Sequence, residues 1–134
     1  MAMEILRANV QKEAEAELQR AIAKWGLMAS SHEGYAVILE EFEETRDALN
    51  DLEGEINILW DAVKENAPFG TIDIYYQAVD VACEAIQTAA MALKMGISFG
   101  GPDVLEIKNR LERKDGGQDE HGSNESGIGS DGNS

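Results

Sequence analysis

Glu40-Glu41-Phe42-Glu43-Glu44 sets four carboxylates within five positions. Like charges three or four residues apart on a helix repel, more so when partly buried, and a cation among them removes that cost. With Ile38 as the centre of a buried stripe, Glu41 lies about 60° and Glu44 about 120° around the helix. Glu40 falls on the outer side of that edge, and Glu43 falls nearly opposite, as solvent face. Further along, Asp80, Glu84 and Gln87 are spaced i, i+4, i+7 and share one stripe, which Met91 continues. Two facing helices would present Glu41, Glu44, Glu84 and either Asp80 or Gln87 around one space. All-oxygen donors of this kind suit a hard cation, Mg²⁺ with Mn²⁺ as its substitute. Such an ion completes its shell with substrate phosphates and water, which is the chemistry of phosphoanhydride cleavage.

A plainer reading stands beside this one. Glutamates on a long helix are commonly solvent decoration, and every bundle helix needs one wet stripe. Other reactive side chains offer less. His32 lacks a partner nucleophile or a second ligand and reads as an exposed residue beside a helix start. His121 lies in a polar tail. Trp25 and Trp60 sit at helical spacings that predict core positions. Cys83 has no activating base nearby in sequence and reads as a small buried hydrophobe. Gly100-Gly101-Pro102 lacks the strand and the lysine of a phosphate-binding loop.

The elements that must position these acids are all helical. Met3 to Trp25 holds strong helix formers with no Gly or Pro, and Gly26 is placed to end the helix in a left-handed conformation. Ser30 with Glu33 predicts a capping box for the next helix. There Tyr35, Ile38, Phe42, Thr45, Leu49, Leu52, Ile56, Leu59 and Val63 advance in alternating steps of three and four. That is one apolar face interrupted only by Thr45. Gly54 lies inside the run and marks a place for a kink. Pro68 and Gly70 end the run. A third helix follows from about Ile72 to Met95, alanine-rich and apolar on most sides, and Gly96 closes it. After a second break Asp103 caps a short helix from Val104 to Arg113. No alternating strand pattern and no repeat of 20–50 residues is present. The expected fold class is all-α, a bundle of three long helices plus a short fourth. The apolar sides of the third helix predict a homodimer or a higher homo-oligomer.

The chain has 134 residues, a single domain's worth, with a hydrophobic fraction of 43% and a formal charge of −15. Acidity of this degree argues against nucleic-acid binding through phosphate neutralisation and against docking on anionic membranes. One cysteine rules out an intrachain disulfide and Cys-rich zinc sites. No apolar run nears the roughly 20 residues of a membrane span, and no signal-peptide core opens the chain, so the expected location is cytoplasmic. Residues 115–134 hold five of the 26 acids and none of the 11 bases, with Ile128 their only large apolar side chain. They are expected to form a disordered acidic tail after a helical domain of residues 1–114, itself at −10.

The segment His32-Glu33-Gly34-Tyr35-Ala36-Val37-Ile38-Leu39-Glu40-Glu41-Phe42-Glu43-Glu44 resembles the HEGYAV-type segment of small phage and bacterial MazG-like proteins. These are grouped with the all-α nucleoside triphosphate pyrophosphohydrolases. Lys24-Trp25-Gly26 before it and Glu84-Ala85-Ile86-Gln87-Thr88-Ala89-Ala90-Met91-Ala92 after it resemble that group in the same order, and the likeness covers about Ala8 to Met95. Leu59-Trp60-Asp61-Ala62-Val63-Lys64 resembles another segment of these proteins, displaced here as though four helical turns had been inserted. The resemblance implies a four-helix oligomer holding Mg²⁺ through ExxE on one helix and ExxD on another. It implies cleavage of a nucleoside triphosphate to a monophosphate and pyrophosphate.

Carried over by position, ExxE becomes Glu41 and Glu44, and the first acid of ExxD becomes Glu84. Gln87 stands where the final Asp belongs, and Asp80 is a substitute carboxylate one turn earlier. Glu40, Glu41 and Glu44 are the candidate catalytic acids. Lys64 and Lys94 are the nearest cations for a triphosphate. Gln87 also motivates an alternative from another class, a non-catalytic helical interaction protein with a degenerate metal site. A third option, an acidic mimic of DNA, fits the charge but not the apolar second helix.

Overall fold

The structure is a computed structural model and describes residues 2–121; residues 122–134, most of the expected tail, lie outside the described part. Helix α1 spans Ala2–Trp25, α2 Ser31–Lys64, α3 Ile72–Ser98 and α4 Leu105–His121, with a single 3-10 turn at Pro102–Val104. There is no strand among the described residues, so the fold is all-α.

Local chemistry sets the ends of these helices. Gly26 has φ +74°, the left-handed value at which a side chain is strained, and its N–H closes α1 on the Ile22 carbonyl at 2.8 Å. Ser30 is the extended N-cap of α2, and its hydroxyl accepts from the Glu33 N–H at 3.1 Å. Glu33 reaches back to accept from the Ala29 N–H at 3.0 Å, one residue before the cap itself. The box forms with its second arm shifted by one position. Helix α2 passes through Gly54 unbroken, because its other 33 residues contribute an uninterrupted hydrogen-bond ladder.

Two boundaries differ from those expected. Helix α3 continues through Gly96 to Ser98, and the left-handed glycine is Gly100, at φ +66°. Gly96 serves a different purpose. A Cβ there would lie 3.0 Å from the Val104 methyls, so its absence lets the 3-10 turn lie against α3. Helix α4 continues past Arg113 to His121. No proline follows Pro102, so no steric stop interrupts a helix once it has started.

Helix α3 is the shared element. It pairs antiparallel with α2 along its length and carries α1 on its C-terminal half. The core gathers at that end, where Leu18, Met28, Ala90, Met91 and Leu111 are buried together. Ion pairing of Arg110 with Glu15 fastens α4 to α1, and Ser98 Oγ accepts the Met28 N–H at 3.0 Å. Gly34 lets α2 close on this core, since a Cβ there would meet the Met95 thioether at 2.9 Å.

Away from this end the bundle thins to the α2–α3 pair. Of the long stripe on α2, Ile38, Leu52 and Leu59 are half-buried, whereas Tyr35, Phe42, Leu49, Ile56 and Val63 are exposed. The stripe is wider than one neighbouring helix covers, and α1 lies on α3 instead. Both tryptophans are exposed, contrary to the expected core positions. Trp25 lies under the Lys24 ammonium at 4.9 Å and Trp60 under that of Lys64 at 5.7 Å, an arrangement that keeps each ring at the water boundary. None of the helices is long and apolar enough to cross a membrane, among the described residues.

Candidate metal centre

Two threonines bring the acids level. Thr45 Oγ1 donates to the Glu41 carbonyl at 2.9 Å, and Thr88 Oγ1 donates to the Glu84 carbonyl at 3.2 Å, each bonding back one turn on its own helix. The two hydroxyls also meet across the helix pair at 3.2 Å. Each hydroxyl carries one proton, so two of the three contacts are hydrogen bonds at a time, and the threonine that donates across the helix pair gives up the bond to its own helix. This contact fixes the register of α2 against α3 where Glu41 and Glu84 face one another. It also explains the one polar interruption of the α2 stripe.

One carboxylate oxygen from each of Glu41, Glu44 and Glu84 lies within 4.8 Å of the others. Glu41 and Glu84 are half-buried, and Glu44 is exposed at the mouth. Burial pushes the Glu41 carboxyl above the usual carboxylate range; the charges of Glu44, Glu84 and Glu40 push it further, and a hydrogen bond with Glu44 favours its protonated form. Burial likewise raises Glu84, followed by the charge of Glu44, a hydrogen bond with it, and the charge of Asp80. Three acids are therefore held closer than their mutual repulsion favours, and a proton or a cation relieves the strain. The donor set fits a hard divalent ion: oxygens only, drawn from two helices, with an open side.

An acidic groove of about 520 Å³ adjoins the cluster, lined by Glu44, Asp47, Ala48, Asp51, Gln77, Asp80, Cys83 and Glu84. Asp80 is thus beside Glu84 but outside the group of three. Asp47 and Asp51 were not singled out in the sequence, although they continue the Glu44 edge at i+3 and i+7. Cys83 is exposed on this groove rather than buried, because the cleft between α2 and α3 that it lines with Asp80 and Glu84 is open to water.

Other positions fall elsewhere. Glu40 is exposed and touches the cluster only through its charge. Gln87 lies beside Glu17 of α1. The Arg20 guanidinium foremost, and then the Gln87 amide, hold the Glu17 carboxyl below its usual range. Lys64 pairs with Asp61 at 3.2 Å, and Lys94 is buried in the core-bearing half of α3. Neither lines the groove, and no basic side chain does. His32 is exposed in the first turn of α2.

The signal that marks the threonines was present in the chain. Glu41-x-x-x-Thr45 and Glu84-x-x-x-Thr88 repeat one spacing on the two helices, each acid followed one turn later by a hydroxyl. No family model, no curated protein and no solved structure matches this chain.

Proposed function

We propose that Glu41, Glu44 and Glu84 hold Mg²⁺, with Mn²⁺ able to replace it, and that the chain is a nucleoside triphosphate pyrophosphohydrolase of MazG-like type. One observation carries this reading: the approach of three carboxylates within 4.8 Å, two of them shifted toward their protonated form. When bound, the ion would offset phosphate charge and acidify a water ligand. The chain's own contributions are positional. The Thr45–Thr88 contact keeps Glu41 and Glu84 opposed, so little reorganisation accompanies binding. Glu44 faces both and is open to solvent. Glu40, exposed on the outer rim, is the remaining candidate catalytic acid.

Gln87 favours a second reading, that of a non-catalytic helical protein. It lies beside Glu17 of α1 rather than in the group of three acids, and the groove lining offers no cation to a triphosphate. One experiment separates the two. Purified chain is incubated with each ribo- and deoxyribonucleoside triphosphate and Mg²⁺, and pyrophosphate is measured. Release that disappears in Glu44→Ala supports the enzyme. Absence of release with every nucleotide, or release untouched by Glu44→Ala, leaves the non-catalytic protein.

A further inference from the structure

The uncovered half of the α2 stripe has a pattern of its own. Tyr35, Leu39, Phe42, Arg46, Leu49, Glu53, Ile56, Trp60 and Val63 advance by alternating steps of four and three, which keeps them on one side of the helix. The seven apolar members are between 38% and 65% exposed. Together they leave roughly 600 Å² of apolar surface along about 42 Å of helix, close to the ~800 Å² per partner of a standard interface. The two charged members decide what fits there. Arg46 lies over the Phe42 ring at 5.4 Å, and neither it nor Glu53 forms an ion pair with a described residue.

Arg46 and Glu53 are placed symmetrically about Leu49 and Asn50, one basic and one acidic. We infer that this seam is the contact between two copies of the chain, packed antiparallel through α2 about a two-fold axis at Leu49. With the axis beside Leu49, positions whose numbers sum to 98 or 99 lie level to within one residue: Phe42 meets Ile56 of the partner subunit, Tyr35 meets Val63 of the partner subunit, and Leu39 meets Trp60 of the partner subunit. Arg46 meets Glu53 of the partner subunit, and the axis repeats the pair. A parallel arrangement would set Arg46 on Arg46 and Glu53 on Glu53, so charge selects the antiparallel one. Shifting the antiparallel register by half a heptad buries both charges against apolar side chains. Glu44 projects about 160° around α2 from Phe42, so the acidic groove stays open in the pair. The inference does not depend on what the groove binds.

Sedimentation equilibrium of the full chain is expected to give twice 14.6 kDa. Phe42→Glu is expected to give the single mass with its helical circular dichroism retained. Arg46→Glu should weaken self-association about tenfold, and Arg46→Glu with Glu53→Arg should restore it. Cross-linking fixes the orientation and works even where a charge variant folds poorly. In a Cys83→Ser background, Leu49→Cys joins to itself through a short bis-maleimide. Tyr35→Cys joins only when mixed with Val63→Cys, because two copies of position 35 lie about 42 Å apart. A single mass of 14.6 kDa at every concentration overturns the inference. So does a dimer indifferent to Phe42→Glu while still helical, or one in which Tyr35→Cys cross-links to itself.

Discussion

Thr45 and Thr88 touch through their hydroxyls at 3.2 Å, one turn past Glu41 on α2 and one turn past Glu84 on α3. The contact sits between the two helices, where each hydroxyl also has a carbonyl of its own helix as an acceptor, so the pair joins two satisfied groups across the seam. It therefore sets register as well as adding stability, and the carboxylates inherit that register.

The energetic coupling of the pair is measurable. Thr45→Val and Thr88→Val preserve shape and each should cost about 1 kcal/mol, since each removes the contact across the helix pair while the partner keeps the bond to its own helix. The double variant should cost about as much as one single variant, leaving a coupling near 1 kcal/mol in a urea-denaturation cycle. Strict additivity would mean that the hydroxyls do not interact.

Two glycines should respond oppositely to alanine. Gly54 is exposed within α2, and a Cβ there would meet nothing within 4 Å. Gly54→Ala should stabilise by about 0.5–1 kcal/mol through helix propensity alone. Gly26 has equally open space but φ +74°, so Gly26→Ala should destabilise by about 1 kcal/mol. Thermal melts of the two variants against the parent chain check both signs.

Period and punctuation made the helices legible before any coordinates. Gly26, Ser30, Pro68 and Gly70 mark breaks that follow from single-residue chemistry, and three- and four-residue steps mark a helical face. The acids were legible for the same reason, because i, i+3 and i, i+4 spacings place Glu41 with Glu44 and Asp80 with Glu84. Depth was not. Phe42 and Leu52 belong to one stripe in sequence, yet only Leu52 is half-buried by α3, because burial depends on how many neighbours arrive. Gln87 shares a stripe with Glu84, but α1 crosses α3 just beyond the acids and engages it. Trp60 and Cys83 were misplaced on the same account. Composition predicts that such side chains seek cover, and this fold leaves them outside.

Divalent ions should act on stability through the three glutamates. At a hundredfold excess over its Kd, Mn²⁺ or Mg²⁺ stabilises a protein that binds it only when folded by about 2.7 kcal/mol. The melting temperature should rise by several degrees with millimolar ion in the parent chain and stay fixed in Glu44→Ala. An unchanged melt in the parent would remove the metal site.

The pH dependence has a definite sign. Glu41 and Glu84 titrate above their unfolded value of 4.5 in the folded chain. Their contribution to stability is therefore fully present below that value and is lost as pH rises through the raised folded values. Without divalent ion, the parent chain should lose stability relative to Glu41→Gln between mildly acidic and neutral pH. Near neutrality Glu41→Gln should be the more stable by a few tenths to about 1 kcal/mol. Urea titrations at a series of pH values test this, and a difference that is constant with pH would contradict the raised values.

Gln87→Asp bears most directly on the metal reading, because it restores the acid that the resemblance expects. In this fold the new carboxylate would lie beside Glu17, whose charge Arg20 already satisfies. Repulsion there should raise the Glu17 carboxyl toward its ordinary value and cost about 0.5 kcal/mol. Affinity for Mn²⁺, read by calorimetry, should change less than twofold. A tenfold gain in affinity would instead mean that position 87 turns toward Glu41 and Glu84 once an ion is present. It would then rank as a fourth ligand position.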